Sequence, residues 1–563
     1  MNFYLSFIFF YFFCFISIIG FGFSLKLILF KEHSSSKFHF FNDIGNLGLL
    51  GIFFLSFIAT VVHFFLPLFQ YLNFFIFFIG FIFFIKFLNK INLSKKTILV
   101  FLLLFLFSFL MLAYHKPYDD YGLYHLPYMI NFTSEKVIFG LFNLQFEQGW
   151  NSMWLNFTSL FNLPGLNIIG FNIVNLVLFI CIVFFFLEIV FENIKKKNYN
   201  RLLVFTPLIF LSYFLVKYAR INNFGTDIPS NMLVICAVIL MIKLLSFEIS
   251  DKKNINYYFG LVVIFLSLAA TIKLSNAYAG IFLIFLFIVR DKSILVWKSA
   301  NIFCLVFILF FCVQQFIYTG CFVFPIPVTC IKGLAWSNIN EIKDVFYNTG
   351  YVNKLYRYYD GSLSTIDYAQ NYNWVKTWFS FSIIELSEHL LTFLLIGLVV
   401  FLISCKAKNF DRSAFPKNYL LFFILGSFIS TILWFHMQPT ARYGIHYLEI
   451  FILFCAYYMF YNSFSKLSFS KNYIIGVVVI CLVFSMQKNI LRITKDVKKG
   501  YTFFYTFSAI DFKEIYNLSD LKVYQPVKKG KDGYCWDKNF LCTLNNIQIK
   551  KTNGYYFIKK TNS

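Results

Sequence analysis

The sequence predicts an all-α polytopic membrane protein of about 13–14 transmembrane helices, with a small, mainly β extracytoplasmic appendage at its C-terminus. Three observations carry this reading. Hydrophobic residues make up 59% of the chain and charged residues 13%, where soluble domains carry roughly 25% charge. Apolar stretches of about 20 residues, enough to cross a bilayer, recur along the chain. Lysine and arginine gather in every second linker between those stretches, which is where the positive-inside rule places cytoplasmic loops.

The apolar stretches are centred near residues 14, 56, 79, 106, 178, 210, 238, 264, 283, 308, 393, 426, 452 and 479. The first, Phe3 to Phe23, is too long for a cleaved leader and lacks a basic start, so it reads as the first span. The basic linkers carry Lys31 and Lys37, Lys95 and Lys96, Lys195 to Lys197, Lys252 and Lys253, Arg290 and Lys292, Lys406 and Lys408, and Lys466 and Lys471. This alternation puts both termini on the outer side of the membrane. Loops 115–164 and 319–381 fall on the same side. Residues 1–94 read as extra N-terminal helices, 95–487 as a transmembrane core and 488–563 as a C-terminal extracytoplasmic domain. That last segment is lysine-rich and carries short alternating runs, Leu521 to Tyr524 and Gly554 to Ile558, that read as strands. The net charge of +23 sits mostly in short loops, where it sets topology and meets lipid headgroups. The bilayer, and not nucleic acid, is the expected partner.

Eight of the 12 cysteines lie in or beside apolar stretches, where Cys is a small hydrophobe. The other four form two close pairs on the expected outer face, Cys321 with Cys330 and Cys535 with Cys542. Disulfides persist in oxidising compartments, so both pairs read as disulfides. The rival reading, a four-Cys zinc site, lacks the C-x-x-C spacing.

The candidate chemistry clusters at the outer ends of the spans. The run PYDDYGLYHLP, residues 117–127, places Asp119 and Asp120 at the mouth of a span, followed by Tyr124 and His125. Adjacent carboxylates can accept a proton, orient a hydroxyl or hold a divalent metal; the plain alternative is a solvated helix end. Asp227, in GTDIP, either faces this first loop or starts a helix with Thr226 and Pro229. Arg220, upstream, is a candidate anion ligand. Arg442, in WFHMQPTARYG, is a candidate phosphate ligand with His436 close by; alone it reads as a snorkelling residue. Lys273, in ATIKLSNAY, is either a second cation in the same cavity, a snorkelling lysine or the partner of an acid on a neighbouring helix. Leu123, Leu126 and Ile130, and then Trp150, Trp154, Phe157 and Phe161, make two stripes that read as short interfacial helices. Asn131 and Asn156 begin Asn-Phe-Thr sequons. No Walker A loop or H-E-x-x-H motif is present. The interiors of the spans read as nearly free of charge, which favours chemistry at the membrane face over passage through it.

Several elements together resemble the GT-C superfamily of glycosyltransferases. These are the paired acids in the first large outer loop, the short helices after them, the later Asp at the start of a span, and the P-x-x-R-Y element of Pro439, Arg442 and Tyr443. The nearest branch is the family-39-like transferases, which include protein mannosyltransferases and lipid A aminoarabinose transferase. PYDDYGLYHLP, GTDIP, TGCFVFPIP and CWD…LC also resemble a group of uncharacterised bacterial polytopic membrane proteins at the edge of that superfamily. The likeness covers roughly residues 95–460. The resemblance implies a polyprenyl-phosphate-linked sugar donor, inverting transfer on the periplasmic face and a glycan, lipid or protein acceptor. It assigns the base to Asp119 or Asp120, a supporting acid to Asp227 and the donor phosphate to Arg442. The acidic loop follows the fourth span here and the first span in that family, and Asp120 stands where Glu is often found. Two other classes stay open: a flippase or exporter of a lipid-linked saccharide, and an O-antigen ligase or polymerase. The second would use Arg357, Tyr358, Tyr359 and Asp360 of the long loop.

Overall fold

Helices account for most of the computed structural model. It describes residues 3–30, 38–39, 43–88, 91–92, 95–113, 120–195, 200–217, 225–246, 252–289, 298–355, 363–406, 415–504, 510–518, 521–527, 534–535 and 541–561. In chain order the helices are α1 (Phe3–Leu29), α2 (Ile44–His63), α3 (Gln70–Leu88), α4 (Lys95–Leu112), α5 (Leu126–Ser134), α6 (Met153–Ser159), α7 (Ile173–Ile194), α8 (Leu202–Lys217), α9 (Asp227–Leu245) and α10 (Lys252–Ile272). They continue with α11 (Gly280–Val289), α12 (Ser299–Thr319), α13 (Ile339–Leu355), α14 (Thr365–Gln370), α15 (Trp374–Ile403), α16 (Lys417–Met437), α17 (Ala441–Met459), α18 (Tyr461–Phe464) and α19 (Lys471–Lys498). Every centre expected from the sequence falls inside one of these helices. Among the described residues, nine helices are long and apolar enough to cross a membrane, and four shorter apolar helices accompany them.

The axis of the bundle is α7. Its apolar stretch is enclosed on all sides, with α1, α2, α4, α8 and α9 packed around it. A helix that is apolar around its whole circumference has no face to give to water. Its buried acid, Glu188, accepts a 2.7 Å hydrogen bond from the Gly45 backbone N–H in the first turn of α2, where unpaired N–H groups favour negative charge. The backbones of α1 and α2 touch through glycine. A Cβ at Gly51 would lie 2.0 Å from the Ile18 carbonyl oxygen, so only Gly permits this approach.

α17 corrects the expectation of nearly charge-free helix interiors. His446 and Glu449 are both buried there, about one and two turns from Arg442. Together with Arg442 they give α17 three polar groups within about two turns of its start.

The two stripes of the first loop are helical in part, through Leu126 and Ile130 of α5 and Trp154 and Phe157 of α6, and these four side chains are buried within the protein instead of lying at an interface. Tyr128, Trp154, Phe157 and Phe161 are fully buried, with α6 packed against α2, α5 and α10. A shared polar network explains why they sit inside. Tyr128 Oη lies 2.8 Å from Asn151 Oδ1 and 2.9 Å from Asn156 Oδ1. Asn156 Nδ2 donates to Thr60 Oγ1 and Gln314 Oε1, both at 2.8 Å. Buried polar groups are tolerated when each finds its partner. Both sequon asparagines, Asn131 and Asn156, are buried, so neither is accessible in the folded chain.

The C-terminal β region is present, and it is docked on the bundle instead of hanging from it. α19 runs to Lys498, past the expected boundary at 487. Strand Phe512–Leu518 pairs antiparallel with Leu521–Pro526, which pairs in parallel with Leu541–Cys542. A hairpin joins Ile547–Thr552 to Tyr555–Lys560 through Asn553-Gly554, both left-handed, as its two-residue turn requires. The hairpin reaches the first loop: Phe139 N donates to Tyr556 O and Ile558 N to Phe139 O, both at 2.9 Å. Asn143 Nδ2 donates to Ile558 O at 2.9 Å, and Lys560 pairs with Glu341 of α13 at 2.5 Å. First loop, second loop and tail therefore form one layer over one end of the bundle. Deleting residues 546–563 is expected to free Phe139, Asn143 and Glu341 together. Limited proteolysis should then cut within residues 135–150.

Candidate active site

Four charged residues from separate parts of the chain meet beneath this outer layer. Asp120 leads into a turn of π-helix, Tyr121–His125, a local geometry often found at functional sites. Asp227 lies in the first turn of α9, Lys273 directly after α10 and Arg442 in the first turn of α17. Arg442 Nη1 is 3.6 Å from Asp120 Oδ2, and Arg442 Nε is 3.6 Å from Asp227 Oδ2. Lys273 pairs with the other oxygen of Asp227, and its ammonium lies over the Tyr443 ring, 3.3 Å from the centroid. Arg442 Nη2 donates to Tyr443 Oη at 2.9 Å.

The local sequence explains these positions. Thr226 makes no side-chain cap at the start of α9, and the Asp227 carboxylate turns to the cations. Lys273 leaves the helix in extended backbone and points inward, only 17% exposed, so it does not snorkel. Arg442 follows a tight Pro439–Thr440 turn held by two indoles: Trp378 Nε1 donates to Pro439 O at 2.5 Å and Trp434 Nε1 to Thr440 O at 3.0 Å. Asn231 Nδ2 donates to the Arg442 carbonyl at 3.0 Å, and buried Asn276 ties Ser230, Asn231 and Tyr447 together behind it. A cation at a helix N-terminus opposes the helix dipole. Two cations next to that helix end make a strong anion-attracting corner, and here two carboxylates balance it.

The corner borders a cavity of about 480 Å³. Tyr124, His125, Glu147, Trp150, Lys273, Phe324, Asp344 and Tyr443 are among the residues that line it. The disulfide Cys321–Cys330 closes the turn that presents Phe324, and Cys535–Cys542 ties the tail strand. Burial, reinforced by Asp120, pushes the Tyr124 phenol well above its ordinary range. Burial outweighs the nearby carboxylates at His125 and pulls it down to about 4, so the imidazole is neutral near pH 7. The unfolded chain titrates this group near pH 6.5 and takes up the proton first as pH falls. Stability is therefore expected to drop between about pH 6.5 and 4. Thermal unfolding of the wild type against His125→Gln across that window measures it, and the variant should lose less.

Glu147 escaped the sequence reading. It is the only carboxylate between Glu135 and Glu188, in a stretch with no helical or strand periodicity. Burial and Asp120 raise its carboxyl above the usual carboxylate range. Its Oε2 has no hydrogen-bond partner among the described residues.

Other expected residues lie elsewhere. His436 ends α16 on the far side of the Pro439 turn. It meets Tyr372, with Nδ1 3.0 Å from the Tyr372 hydroxyl, in a separate apolar cavity of about 580 Å³. Asp119, Arg220 and residues 357–360 lie outside the described residues. Asp120, the described half of the proposed metal pair, directs its carboxylate to Arg442. Among the described residues no three His, Cys, Asp or Glu side chains converge as a metal site.

No curated protein and no solved structure matches the chain. Residues 4–449, well over half of the chain, match the family described as a domain of unknown function (DUF8201), and the protein belongs to that family.

Proposed function

We propose that the protein is a GT-C-type glycosyltransferase of the bacterial inner membrane. It moves a sugar from a polyprenyl-phosphate donor to a glycan, lipid or protein acceptor on the periplasmic face, with inversion. One observation carries this reading: Arg442 and Lys273 converge with Asp120 and Asp227 beside a large cavity at the end of an apolar bundle. In such a transfer the anomeric C–O bond breaks and negative charge gathers on the departing lipid phosphate. Fixed cations in a site of low dielectric stabilise that charge most in the transition state. Arg442 meets phosphate through two parallel donors, and Lys273 acts as a point charge. The two disulfides at this end of the bundle fit an oxidising compartment.

The test uses membranes of host cells deleted for the gene, supplied with radiolabelled sugar nucleotides that charge their own polyprenyl phosphates. Adding the purified protein is expected to move label from the lipid fraction to an acceptor and release polyprenyl phosphate. Label that stays in the lipid fraction contradicts the reading. A second reading, a flippase for the same lipid-linked saccharide, draws on buried His446 and Glu449 beneath Arg442. It predicts movement of labelled lipid across the bilayer with its sugar bond intact.

A further inference from the structure

We propose that Glu147 is the group that takes the proton from the incoming acceptor hydroxyl. The inference rests on the transferase reading and changes its division of labour. A general base needs a free lone pair facing the reactant. Asp120 and Asp227 both face Arg442, and Asp227 is paired with Lys273 as well. Glu147 lines the same cavity as Lys273, and its Oε2 has no hydrogen-bond partner among the described residues. Its carboxyl sits above the usual range because of burial, which makes its anion a stronger base than a solvated carboxylate.

The segment that carries Glu147 is held on both sides. Thr543 Oγ1 donates to the Leu144 carbonyl at 2.8 Å, and Leu544 N donates to the same oxygen at 3.2 Å. Asn131 Nδ2 donates to Gln148 Oε1 at 2.7 Å, and Gln315 Nε2 donates to the Gly149 carbonyl at 2.5 Å. Three parts of the chain thus fix three residues around Glu147, namely Leu144, Gln148 and Gly149, the kind of support a positioned catalytic group requires.

The step balances as follows. The acceptor oxygen bonds to the anomeric carbon as its proton passes to the Glu147 carboxylate. The bond from that carbon to the phosphate oxygen breaks, and its electron pair leaves with polyprenyl phosphate toward Arg442 and Lys273. Glu147 then returns the proton to water.

The test compares full-length wild type, Glu147→Gln and Glu147→Asp in the labelled-membrane assay, with binding of polyprenyl phosphate measured separately. Glu147→Gln is expected to bind polyprenyl phosphate within about twofold of wild type and to lose about 10²–10⁴-fold in turnover. Glu147→Asp should recover part of that loss, and the fall in wild-type turnover at acidic pH should vanish from the residual Gln activity. Turnover of Glu147→Gln within about threefold of wild type overturns the assignment, as does lost binding in step with lost turnover. Those outcomes leave the transferase reading standing. A wild type that binds polyprenyl phosphate without transferring label, or does neither, removes both.

Discussion

Replacing Arg442 by alanine is expected to lower sugar transfer by about 10²–10³-fold, the usual effect of removing one preorganised group that stabilises developing negative charge. The fold should survive. The guanidinium is half-exposed, and its two carboxylate contacts at 3.6 Å are too long to act as structural clamps. Asp227 keeps Lys273, so no buried acid is left without a cation. Arg442→Lys is expected to recover little, because an ammonium cannot offer the paired donors of the guanidinium. Turnover in the labelled-membrane assay and thermal unfolding of purified protein check the two halves of this prediction. An unfolding temperature that collapses along with turnover gives Arg442 a structural role instead.

The second large effect is expected from Asp119→Asn combined with Asp120→Asn. Sugar transfer should be abolished while expression and thermal stability persist. Asp120 is 41% exposed, so its charge contributes little to holding the helices together. In the proposed transfer its work is electrostatic. With both acids neutral, Arg442 keeps only Asp227, which it shares with Lys273, and the guanidinium loses the partner that aims it toward the first loop. Normal transfer by the double variant would remove the paired acids from the mechanism.

The residues that were legible in the sequence share one physical property: each is a charge at the edge of an apolar run. Such charges are costly to bury at random, so Asp120, Asp227, Lys273 and Arg442 stood out before any geometry was known. The helix centres were legible for the same reason, and the two close cysteine pairs because of their separation along the chain. What stayed hidden depends on tertiary docking. The Trp154 stripe has the same spacing whether it meets lipid headgroups or a protein interior, and the partners that hold Asn156 of the same helix, Thr60 and Gln314, lie 96 and 158 residues away in the chain. Glu147 belongs to a run of short 3-10 turns whose course is set by the tail and by α12. His436 lies six residues from Arg442, but the turn between them takes it to Tyr372 and a separate cavity, while Arg442 faces Asp120 and Asp227. The tail's strands were readable from alternation, and its landing place on Phe139 and Leu144 was not.

The most direct test of the central claim is the binding of polyprenyl phosphate to full-length protein in lipid nanodiscs, wild type against Arg442→Ala. The anion-attracting corner at the start of α17 predicts saturable binding by the wild type and at least about tenfold weaker binding by the variant, equivalent to about 1.4 kcal/mol. Equal affinity in the two proteins, or no saturable binding by either, would contradict the claim that this corner is built for a lipid phosphate.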